Sequence, residues 1–176
     1  GVVVSFRDVT GRKQNEEALE REKLFSDAII NSMPGIFYLF DENGRFLRWN
    51  ENFEKFSGYS DEELSAMRPT DFFTGADKEL VRQRVEQVFA EGVSSAEADF
   101  VSRDGTRTPH YFTGVRAELN GKPCLLGVGV DITERRQAEK LLRNLSLAIN
   151  HSGDVVFMTD QNGTINSINS QFTELY

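Results

Sequence analysis

A chain of 176 residues, 39% hydrophobic and 27% charged, carries enough apolar material for one folded domain with some length to spare, and is too apolar to stay wholly disordered. Its 28 acidic against 20 basic residues leave a net charge of -8, which removes the electropositive field that phosphate binding draws on and disfavours direct nucleic-acid contact. No apolar run approaches the roughly 20 residues that span a bilayer, and one cysteine with two histidines excludes an internal disulfide and a Cys/His zinc site.

In chain order, Val2 to Val4 reads as a strand end, followed by a charged helical stretch over 11–30 with Ala18, Phe25 and Ile29 on one row and Leu19 and Leu24 on a weaker one. Ile36 to Phe40 and Arg45 to Trp49 are apolar, aromatic runs joined by Asn43-Gly44, a hairpin signal. Asn50 is placed to cap a short helix carrying Phe53 and Phe56, and Ser60 with Glu63 has the capping-box spacing. A longer helix follows from Ala76 to Ala90, with Val81, Val85, Val88 and Phe89 on one face and Gly92 to end it. Three strand-like runs, 96–102, 106–117 and 122–130, are joined at Asp104-Gly105 and Asn120-Gly121. The last helix, 134–149, carries Ala138, Leu141, Leu142, Leu145, Ala148 and Ile149 at the spacing of a two-helix seam. Two strands, short helices and a three-strand meander predict an α+β domain with one sheet and helices on one face.

The chain also repeats itself. Asp8-Val9-Thr10-Gly11-Arg12-Lys13 matches Asp131-Ile132-Thr133-Glu134-Arg135-Arg136, and each follows a valine-rich run and precedes a charged helix. Asn31 to Phe53, with Asp41-Glu42-Asn43-Gly44 inside it, matches Asn150 to Phe172, with Asp160-Gln161-Asn162-Gly163 inside it. The order is therefore the end of a unit (1–10), a helix (11–30), a whole unit (31–133), a helix (134–149) and the start of a unit (150–176). Thr10 to Asn31 is 21 residues and Thr133 to Asn150 is 17, a difference of about one helical turn.

Asn31-Ser32-Met33-Pro34-Gly35-Ile36-Phe37, Trp49-Asn50, Phe56-Ser57-Gly58-Tyr59-Ser60, Arg103-Asp104-Gly105-Thr106 and Asp131-Ile132-Thr133-Glu134-Arg135, in this order and spacing, resemble PAS sensor domains with their C-terminal PAC motif. The resemblance implies a five-stranded antiparallel sheet in order 2-1-5-4-3. It also implies ligand sensing or signal relay in bacterial histidine kinases or diguanylate cyclases. Adjacent PAS units and a C-terminal output domain are then the expected neighbours in a longer parent. That parent is expected to be cytoplasmic, with a membrane anchor elsewhere in it left open.

Enzyme motifs are absent: there is no phosphate-binding glycine loop and no Gly-x-Ser-x-Gly elbow. Cys124, beside Leu125 and Leu126, reads as an inert core thiol. By resemblance, light-sensing relatives carry a cysteine on a helix where 69–75 has none, and haem-binding relatives take a histidine from the long helix, where 76–90 has none. No cofactor is therefore expected, with a haem or flavin redox sensor as one rival and a ligand-free dimerisation or spacer module as another. An unidentified small ligand is left open as an occupant. Strand alternation groups His110, Phe112 and Gly114 on one face, without saying which face is inward. By resemblance that face lines a cavity. The candidate ligand contacts are then His110, Phe112, Gly114, Phe37, Phe56 and Phe73, although a Phe-rich core explains the rings equally well. The resemblance assigns Asp131, Thr133 and Arg135 to signal relay, with Thr133 expected to cap the outgoing helix. Leu141, Leu145 and Ala148 are the expected seam of a homodimer.

Overall fold

A computed structural model describes residues 10–150 and 156–168. The expected strand end at 1–9 and His151 lie outside the described residues. The elements run α1 (Thr10–Ser32), β1 (Ile36–Asp41), β2 (Phe46–Trp49), α2 (Glu51–Ser57), α3 (Asp61–Ala66), a 3-10 turn (Pro69–Phe72), α4 (Gly75–Glu91), β3 (Val93–Val101), β4 (Arg107–Leu119), β5 (Lys122–Asp131), α5 (Thr133–Asn150), β6 (Phe157–Thr159) and β7 (Ile165–Ile168). β1 to β5 form one antiparallel sheet in the order β2-β1-β5-β4-β3.

Local chemistry places the ends. The Asn50 side chain accepts from Phe53 N and starts α2, and Gly58 ends it in the left-handed region at φ 74°. Ser60 and Glu63 form the reciprocal capping box of α3. Gly92, at φ 98°, terminates α4 and sends the chain straight into β3, which begins three residues before the apolar run that announced it. Asn120 and Gly121 both have positive φ, the paired left-handed geometry of a two-residue hairpin turn.

α2, α3, the 3-10 turn and α4 contribute Phe53, Leu64, Phe72, Phe73, Val81 and Val88 to a core closed on the other side by Ile36, Phe40, Phe46, Phe100 and Leu125 of the sheet. Phe72 stacks on Phe100 with centroids 5.2 Å apart, and Phe53 lies 5.0 Å from Phe72. Such ring pairs contribute about 0.5–1.5 kcal/mol each beyond the area they bury.

Contacts divide the chain into two units at the Asp131–Ile132 peptide. In the second unit α5 begins at Thr133, and the first helical bond runs from Arg136 N to Ile132 O. Thr133 is thus the first helical residue and Ile132 holds the capping position, which corrects the expectation that Thr133 caps the helix. Arg135 pairs with Glu139 one turn along, through Nε at 3.5 Å.

The hairpin β6–β7 reproduces β1–β2 position by position, 119 residues later. Tyr38 faces Trp49 as Phe157 faces Ile168, Leu39 faces Arg48 as Met158 faces Ser167, and the same irregularity follows. Asp41 Oδ1 accepts from the amides of Asn43 and Arg45 at 3.0 and 2.9 Å, and Asp160 Oδ1 accepts from those of Asn162 and Thr164 at 2.8 and 2.9 Å. In both turns glycine takes the left-handed position, Gly44 at φ 74° and Gly163 at φ 85°.

Candidate functional site

Two glycines on the inner face of β5 shape the space beneath the sheet. Gly127 pairs with Tyr38 on one side and Gly114 on the other; Gly129 pairs with Ile36 and Phe112. With no side chains there, the rings of Tyr38 and Phe112 lie across β5 itself. A Cβ at Gly127 would stand 2.5 Å from Tyr38 Cε2, and one at Gly129 would stand 2.6 Å from Phe112 Cε1. Tyr38 spans the strand and donates its hydroxyl to Thr113 O on β4 at 3.0 Å.

Between these rings and α4 remains a cavity of about 60 Å3. Its walls are apolar (Phe40, Phe46, Phe73, Val88 and Leu125 among them), and Phe112 and Gly114 complete the sheet side. Among the lining residues Arg84 of α4 is exposed on the cavity side, whereas Ser95 alternates to the opposite face of β3 from Ala96 and Ala98. The cavity therefore approaches solvent at Arg84, beside Ser94.

The strand phase left open by alternation is settled: His110 is 1% exposed and Gly114 is buried, both on the core side. Phe73, Phe112 and Gly114 line the cavity, whereas His110, Phe37 and Phe56 are not among its lining residues. His110 lies one ring beyond, stacked on Phe112 at 5.6 Å and flanked by Phe100 and Phe56 at 5.4 and 5.9 Å. Its Nδ1 is 3.0 Å from Thr108 O, a carbonyl that only accepts, so the proton is on Nδ1. Phe37 alternates to the face opposite Ile36 and Tyr38 because a strand has period two, and Phe56 sits on α2 at 44% exposure. Asp131 lies opposite His110 at the end of β5, separated from α5 by one residue. Leu141 and Leu145 are 60% and 51% exposed on α5, and Ala148 is exposed beside them.

Asn50 is buried and serves the backbone, as its capping position implied. Its Oδ1 accepts from Phe37 N (3.0 Å) and Phe53 N (3.1 Å), and its Nδ2 donates to Gly35 O (2.8 Å) and Ile30 O (3.3 Å). Trp49 packs edge-on against Phe46 and does not line the cavity. Cys124 is buried, and burial, with a smaller push from Glu118, raises its thiol pKa, so little nucleophilic thiolate forms. Tyr38 and Arg84 escaped the reading of the sequence. The available signal was Gly127-Val128-Gly129, glycines two apart in a strand, which mark a close approach over one face.

Burial also holds the Tyr38 phenol well above the ordinary tyrosine range. A pKa raised on folding contributes stability that is full below the unfolded value of about 10 and is lost as pH rises beyond it. Spectrophotometric titration is expected to show one tyrosine that fails to ionise until alkaline unfolding. Tyr38→Phe should remove that late step and cost about 1 kcal/mol, the net value of one hydrogen bond.

A family model described as PAS fold matches residues 30–137. The chain belongs to the PAS family. The match spans β1 to β5 and the first turn of α5, so the cavity lies within the PAS domain. The virulence sensor protein BvgS of Bordetella pertussis is 30% identical over 154 residues, 82% of this chain. The methyl sulfide methyltransferase-associated sensor of Methanosarcina acetivorans is 27% identical over 127 residues, 72% of this chain. The chain spans only 12% and 13% of the length of these two relatives. Among solved structures, the PAS domain of an HTR-like protein from Haloarcula marismortui aligns with a TM-score of 0.61 at 22% identity, over 68% of this chain and 99% of that one. The PAS domain of Bordetella pertussis BvgS aligns with a TM-score of 0.51 at 19% identity, over 73% and 98%. Likeness at that identity establishes the PAS fold. The PAS sheet order, 2-1-5-4-3, agrees with the expectation drawn from the motifs.

Proposed function

We propose that this PAS domain is a sensory and relay module of a larger bacterial signalling protein, taking a small ligand between α4 and the sheet and passing its state into α5. One observation carries this reading: β5 does both jobs. Its Gly127 and Gly129 seat the two rings that roof the cavity, and its last residue, Asp131, leads into α5 with one residue between. A body that displaces Phe112 or Tyr38 acts directly on the strand that becomes the output helix. The relatives named as sensors support this role, and a kinase or cyclase output belongs to the proposed parent.

A free cavity of about 60 Å3 favours a small ligand over a haem or flavin. A single benzene occupies an engineered cavity of about 150 Å3, and both cofactors are several times larger than benzene. The repeated hairpin supports a tandem arrangement in which a second PAS unit starts at β6. No helix among the described residues is long and apolar enough to cross a membrane. A cytoplasmic position stays part of the proposal.

The proposed partner of α5 is a second copy of the chain. Ala138, Leu141, Leu145 and Ala148 alternate at three and four residues, the a/d spacing of a two-helix seam. Light scattering is expected to report a dimer at high micromolar concentration. Leu141→Glu with Leu145→Glu should make it a monomer while the strand signal in circular dichroism stays unchanged. Native mass spectrometry of freshly purified protein tests the whole reading, with a visible spectrum alongside. A colourless dimer retaining a small organic adduct is the expected result. A stoichiometric Soret or flavin band would replace it with a cofactor sensor, and a bare protein that no small molecule stabilises would leave a spacer.

A further inference from the structure

We infer that Arg84 makes the cavity selective for small amphiphilic anions, with a short alkyl body inside and a carboxylate at the mouth. The inference rests on the cavity being a ligand site and adds the chemical class of the ligand. The walls offer a body only dispersion and apolar contact. Tyr38, the one polar side chain over the interior, already spends its hydroxyl on Thr113 O.

The mouth is different. Arg84 of α4 and Ser94 of β3 stand there. Arg84 Nη1 donates to Gln87 Oε1 at 2.9 Å, and Ser94 Oγ donates to the same oxygen at 2.9 Å. Gln87 Nε2 is turned away to Glu91 at 2.7 Å. Among the described residues the Arg84 guanidinium meets a neutral amide and no carboxylate, although the chain carries 28 acidic residues. Two positions earlier on the same helix, Arg82 is paired with both Glu79 and Glu86. Arg84 thus keeps most of its five donors available at the exposed side of the cavity wall.

A planar, permanently charged fork matches a carboxylate through two parallel hydrogen bonds. The volume fixes the other end of the ligand. About 60 Å3 suits a slim chain of a few carbons better than a ring. A few placed polar groups at the rim of an apolar pocket are what set ligand orientation.

The test uses the isotopically labelled 176-residue chain titrated by NMR with butanoate against 1-butanol, and propanoate against 1-propanol. Each acid is expected to bind at least tenfold more tightly than its alcohol, with shifts at Arg84, Ser94 and Gly114, and with the margin shrinking as salt is added. Arg84→Gln, at an exposed helix position, should erase the margin and leave alcohol binding unchanged. Gly114→Val should abolish all binding, because a Cβ there already meets Leu125 at 3.1 Å and Val88 at 3.3 Å. If alcohols bind as tightly as acids, or Arg84→Gln keeps the margin, the anion selectivity is wrong while the cavity remains a ligand site. If neither class binds, both readings fall together.

Discussion

Gly127→Ala is expected to be the most damaging single-methyl change in the domain. The added Cβ would sit 2.3 Å from Thr113 O and within 2.6 Å of two atoms of the Tyr38 ring. The carbonyl is backbone in a paired strand, so relief requires β4 and β5 to part or Tyr38 to leave its seat and break its bond to Thr113. Overpacking of this kind costs about 3 kcal/mol. For a domain near 100 residues that lowers Tm by roughly 12–24 °C. Gly105→Ala is the matched control: nothing lies within 4 Å of its Cβ, and only the positive φ of 85° opposes it. Its cost should be about 1–2 kcal/mol. Thermal denaturation followed by circular dichroism separates the two. Equal melting temperatures would mean that Tyr38 does not rest on Gly127.

Asn50→Ala should do comparable harm by a different route. One amide side chain joins the end of α1, the entry to β1 and the start of α2 through Ile30 O, Gly35 O, Phe37 N and Phe53 N. Removing it deletes a helix cap, worth about 1 kcal/mol. It also strands a buried N–H at Phe37, at about 1–3 kcal/mol. Gly35 O keeps a longer bond from Asn52 Nδ2 at 3.3 Å, so that carbonyl is partly protected. The expected loss is about 3 kcal/mol. Amide exchange should localise it, with Phe37 and Phe53 losing protection while Glu63, held by Ser60, keeps its own. If Phe37 stays protected, the bond from its amide to Asn50 does not exist in solution.

The same two regions show what was legible in the residues alone. The cap from Asn50 to Phe53, Ser60 with Glu63, Gly92 and Asn120-Gly121 act through bonds and dihedrals a few positions away, so a linear reading finds them. The bonds from Asn50 to Ile30, Gly35 and Phe37 form only in the fold. The family resemblance carried by the motifs anticipated the sheet topology, and the internal sequence match anticipated a hairpin at β6–β7 with the register of β1–β2. The tertiary structure alone decided the site. Whether His110 faces in or out depends on which side of the sheet the helices cover, and a period of two carries no such sign. Phe37 fell on the wrong face and Phe56 on a half-exposed one, because aromatic character marks burial without saying against what. Tyr38, Gly127 and Thr113 meet only once β1, β5 and β4 lie side by side, with 75 residues between the hydroxyl and its acceptor. Arg84 reads in sequence as one more charge on a solvated helix face. Only the approach of α4 to β3 puts it at the mouth of a cavity.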